Sequence, residues 1–66
     1  MTTYIEFLKL AAVIGRTGMS RSAIYSAMRS GDFPASVQLG PRAVAWASSD
    51  IAEWQQSRIN ASRKAV

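Results

Sequence analysis

A mainly helical domain carrying one small β-hairpin is the fold class that this 66-residue chain predicts. Three observations carry it. Apolar residues recur at helical spacing in two stretches before residue 31 and in one after residue 50. Gly18 and Gly31 stand where the first two stretches end, as glycines do just past a helix terminus. Around Gly40-Pro41 the apolar period changes to two, the mark of paired strands.

The elements follow in chain order. Tyr4 to Leu8 is short and apolar and reads as a brief strand or a lead-in. Lys9 to Thr17 places Leu10, Val13 and Ile14 on one helical face, and Gly18 breaks the helix. Ser20 is then an N-cap, with the N–H of Ser22 or Ala23 as its partner. The second helix runs to about Ser30 and stops at Gly31. At 100° per residue Ala23, Ile24, Ala27 and Met28 share one side, while Arg21, Ser22, Tyr25, Ser26 and Arg29 share the other. Val13, Met19, Ile24 and Ala27 are expected to pack the two helices together. Phe33, pushed out of the helix by Pro34, points its ring at the core, and Val37 joins it. Val37 and Leu39 alternate with Gln38, and Val44 and Trp46 with Ala45, so a wing of about 36–46 is expected, with Val44 and Trp46 inward and Arg42 at its tip. Ser49 or Asp50 caps a last helix of about 50–63, with Ile51, Ala52, Trp54 and Ile59 on its apolar side. The whole, 1–66, is one domain, a winged helix-turn-helix.

Composition narrows the function. Eight Lys+Arg against four Asp+Glu give a net charge of +4, which suits a polyanionic partner. The chain has no Cys and no His, so thiolate and imidazole metal sites and the commonest acid–base group are absent. Asp50 and Glu53 read more simply as helix-cap acids than as a catalytic pair. No enzyme activity, metal, cofactor or small-molecule substrate is expected. The longest apolar run, residues 10–14, is far too short to span a membrane. A cytoplasmic protein is expected.

Most of the candidate contacts have two readings. Arg21, in the first turn of the second helix, can bind guanine O6 and N7 with two hydrogen bonds or hold a phosphate. Ser22 and Ser26 can donate to phosphate or base, or stay idle on the surface. Tyr25 can stack or bond at the backbone, or lie half-buried. Arg29 suits a phosphate clamp. Arg42, on a rigid turn, suits a minor groove, or guards the hairpin against edge pairing. Trp46 and Trp54 are expected in the core.

Three blocks carry a resemblance: residues 16–25 (Arg16 to Tyr25), Gly31-Asp32-Phe33-Pro34, and residues 39–46 (Leu39 to Trp46). Together, across roughly 7–58, they look like the AlpA family of phage and prophage regulators. The resemblance implies a MerR-like, excisionase-like winged helix-turn-helix. It also implies a transcriptional activator or repressor, or an excision directionality factor. Ala12 stands where the family often has Glu, and Ile14 where it often has Ala, which asks the two helices to separate slightly or repack. The DNA-contact set expected on these grounds is Arg16, Ser20, Arg21, Ser22, Tyr25, Ser26, Arg29 and Arg42. The partner expected is double-stranded DNA, with cooperative self-association on it and an integrase as further candidates. The competing reading is a small protein-interaction module whose basic face meets an acidic protein.

Overall fold

The computed structural model describes residues 5–64, and the N-terminal part of the first apolar run, Tyr4 included, lies outside them. The elements are β1 (Phe7–Leu8), α1 (Leu10–Thr17), α2 (Arg21–Ser30), β2 (Val37–Gly40), β3 (Ala43–Ala47) and α3 (Ser48–Lys64). This is the mainly helical fold with a small antiparallel sheet that the sequence predicts, and it is consistent with a winged helix-turn-helix.

Local chemistry sets the joints of the helical pair. Gly18 ends α1 in the left-handed region at φ 72°, and its N–H donates to the Ile14 carbonyl at 2.9 Å. The Thr17 hydroxyl donates to the Val13 carbonyl at 2.8 Å and accepts from the Met19 N–H at 3.3 Å, so one side chain ties both sides of the turn. Ser20 caps α2, accepting from the Ala23 N–H at 3.1 Å. Gly31 closes α2 at φ 83°. Ser20→Ala is expected to cost about 1 kcal/mol of stability through the lost cap, read as a lower midpoint in urea with an unchanged slope.

The sheet is wider than a hairpin. Its order is β1-β3-β2, with Leu8 opposite Trp46 and Val37 opposite Ala45. The end of the first apolar run, Phe7–Leu8, is therefore a strand and not merely a lead-in, because β3 offers it an unpaired edge. Leu8, Val13, Ile24, Phe33, Trp46 and Ile51 form the buried core. Leu10, Ile14, Met19, Ala27, Met28 and Trp54 pack half-buried around it. Ile14, the larger residue at a place where the resembling family often has Ala, thus sits at the rim of the core and is only half-buried. Trp46 donates its Nε1–H to the Pro34 carbonyl at 3.1 Å, which holds the segment after α2 over the sheet. Phe33 meets Trp54 edge to face at 4.9 Å between ring centroids.

Three expectations about side-chain placement are corrected. Val44 does not point into the core but is 45% exposed, and Leu39 is 47% exposed. The hairpin outruns the core, so the buried positions of β3 are Ala45 and Trp46 near its base, on opposite faces of the central strand, while Val37 is half-buried. The last helix does not begin at a cap on Ser49 or Asp50. β3 passes straight into α3 at Ser48, leaving Asp50 within the first turn. Ala52 and Ile59 are exposed and not part of a packed stripe: Ala52 lies about a hundred degrees round the helix from Ile51, on the side away from Trp54, and Ile59 lies past the body that covers Ile51 and Trp54.

Candidate nucleic-acid interface

α2 displays its candidates because its other face is occupied. Ile24 is fully buried, with Ala27 and Met28 packed beside it. The opposite arc carries Arg21, Ser22, Ser26 and Arg29, all exposed. Tyr25, between them, is half-buried. The Arg21 guanidinium lies over the Tyr25 ring, 5.9 Å from its centroid. That contact holds a long cationic side chain along the helix surface, with its N–H donors still available. Ser22 and Ser26 make no side-chain hydrogen bonds among the described residues, so both hydroxyls can donate outward.

The remaining candidates sit on other elements. Ser20 spends its acceptor lone pair on the α2 cap and retains its hydroxyl proton. Arg16, in the last turn of α1, faces Glu6 at 3.8 Å, an ion pair between half-exposed groups. Its backbone carbonyl accepts from Gln55 Nε2 at 2.8 Å, which fastens α3 to the end of α1. Arg42 is exposed in the two-residue turn between β2 and β3. Arg21, Arg29 and Arg42 have no ion pair among the described residues. Uncompensated guanidinium groups on a convex surface can bind phosphate or the acceptor edge of a base.

Sequence reasoning did not single out two other features. Arg58, seven residues after the buried Ile51, lines a shallow groove with Met19, Ala27, Asp32 and Trp54. Arg58 is exposed, and its place on the same helical side as Ile51 follows from spacing and could have been read from it. A second groove gathers Asp32, Asp50 and Glu53 beside Phe33 and Trp54. These acids are distant in sequence, apart from Asp50 and Glu53, so only the fold brings them together. None of the eight candidate DNA contacts lines either groove.

Comparison with known proteins gives concordant matches. The family profile described as "Prophage CP4-57 regulatory protein (AlpA)" matches residues 6–59. A protein of Enterobacteria phage P4, "Uncharacterized protein ORF88", is 44% identical over 57 residues, covering 86% of this chain and 65% of the phage protein. The chain therefore spans just under two thirds of the length of that relative. The "DNA-binding transcriptional activator AlpA" of Escherichia coli (strain K12) is 37% identical over 60 residues, covering 82% of this chain and 86% of that protein.

Proposed function

The chain belongs to the AlpA family of prophage regulatory proteins, and from that premise we propose that it binds duplex DNA sequence-specifically, as a transcriptional regulator or an excision directionality factor. The family is one of regulators and not of enzymes. The observation that carries the reading is the α2 surface. Arg21, Ser22, Ser26 and Arg29 are exposed on one side of a helix whose other side is fixed in the core by Ile24. A helix held in this way can enter a major groove as a rigid body, with its first turn against base edges. The Escherichia coli relative, described as a DNA-binding transcriptional activator, supports the same partner. A basic chain of this size covers few base pairs, so several copies acting cooperatively at repeated sites belong to the proposal. It acts in the bacterial cytoplasm, at the nucleoid.

The test is selection from a random duplex library followed by titration at several salt concentrations. An enriched motif and an affinity that falls steeply with salt are expected. Equal affinity for every duplex, or none at low salt, would remove the proposal. Within it, Arg29 is the phosphate clamp. Arg29→Ala should weaken binding alike on all sequences and lower the salt slope by about one. The same titration on cognate and scrambled duplexes reads this directly.

A further inference from the structure

We infer that the distal wing is an apolar-flanked wedge, with Leu39 and Val44 packing on the deoxyribose walls of the minor groove beside Arg42. The inference rests on the DNA-binding reading above. It starts from two of the large apolar side chains that the core leaves out, both of them in the wing. Leu39 is 47% and Val44 45% exposed, and neither belongs to the buried cluster.

Their placement is specific. Val44 pairs with Gln38, so those two share one face of the ribbon. Leu39, one residue on from Gln38 at the register shift, belongs to the other face with Ala43. The Pro41–Arg42 turn closes the ribbon, and Gln38 Nε2 donates to the Gly40 carbonyl at 3.1 Å, bracing the approach to that turn. The tip thus carries an aliphatic side chain on each face and, at its end, a cation with no ion pair among the described residues. Exposed aliphatic residues at the end of an open strand invite unwanted pairing, so a purely structural wing would favour polar residues there.

The minor groove matches this arrangement. Its floor offers a degenerate hydrogen-bond pattern, its walls are sugar C–H groups, and narrow A·T tracts draw in arginine. Aliphatic side chains are a usual means of contact in that groove. A second copy of the chain fits less well, because it would bring another molecule of charge +4 against Arg42.

The test compares the double variant Leu39→Thr/Val44→Thr with Arg42→Ala on the selected duplex with A·T-rich flanks. Threonine keeps the strand preference and the approximate size while adding a hydroxyl. The double variant should lose roughly tenfold in affinity with an unchanged salt slope, since it removes apolar contact and no charge. Arg42→Ala should lower the slope by about one. If the double variant melts early, each single variant, titrated in the cold where it is folded, should lose roughly threefold. Wild-type affinity in the variants, or a reduced slope in the double variant, would overturn the wedge. So would single-site affinity kept while cooperativity between adjacent sites is lost, which would assign the pair to a neighbouring copy. A wild-type protein that binds no duplex ends the DNA reading itself, whereas normal wild-type binding with unaffected variants ends only the wedge.

Discussion

Trp46→Ala is expected to leave the chain unfolded at room temperature. Trp46 is completely buried on the central strand, opposite Leu8 of β1. Removing a buried indole costs about 3–5 kcal/mol, from lost transfer energy and the cavity left behind. The truncation also orphans the Pro34 carbonyl, which accepts from the indole N–H. A single core in a chain below about 70 residues supplies roughly 3–5 kcal/mol of net stability, so the loss matches the whole reserve. Calorimetry and far-ultraviolet circular dichroism should show no cooperative transition. Trp46→Phe keeps a buried aromatic ring while removing the donor and part of the indole's volume. It should fold with a reduced midpoint, costing about 1–3 kcal/mol for the orphaned carbonyl and the smaller ring together. A Trp46→Ala protein that melts within a few degrees of wild type would show that the sheet does not depend on this side chain.

Arg21→Ala should have the largest effect on recognition, and an opposite effect on stability. On the proposed reading it loses about 1–3 kcal/mol on the cognate duplex and relaxes preference at one base pair. Stability should hold or rise slightly, because a cation in the first turn of α2 opposes the helix dipole by about 0.3–1 kcal/mol. The lost contact with the Tyr25 ring offsets part of that gain. A binding profile over all single-base changes in the site, with a thermal melt beside it, gives both signs at once. Unchanged affinity and unchanged preference would mean that α2 is not the reading element.

How far the sequence revealed the fold varied with the range of the interaction. Gly18, Ser20 and Gly31 act on their immediate neighbours, so the boundaries of α1 and α2 were legible to within a residue. The arc of α2 follows from its 3.6-residue period, and the exposure of Arg21, Ser22, Ser26 and Arg29 agrees with it. Periodicity tells which side chains share a face, but not where the core stops. That is why Val44 was read as inward and Ile59 as part of an apolar stripe, although the elements bearing them extend beyond the packed body. The pairing of β1 with β3 joins residues about forty positions apart, and no local pattern encodes it. The Arg16–Glu6 pair was hidden for the same reason. Tyr25 was open between two roles, and its half-burial with Arg21 across its ring combines features of both.

The junction at Ala47–Ser48 has a mechanical consequence. No residue separates β3 from α3, and Ser48 is clamped from the side, its N–H donating to the Glu6 carbonyl at 2.7 Å while its hydroxyl accepts from the Glu6 N–H at 2.8 Å. A hinge needs residues free to change φ and ψ, and this one has none to spare. The wing and the last helix therefore move as a single lever, and Gln55 ties that lever to the end of α1. On the proposed DNA-binding reading, a duplex gripped by α2 and the wing together would meet a reader of fixed span. A mismatch between that span and the spacing of the grooves would then be taken up by bending the DNA, and the flexibility of base steps that the protein never touches would become part of its preference.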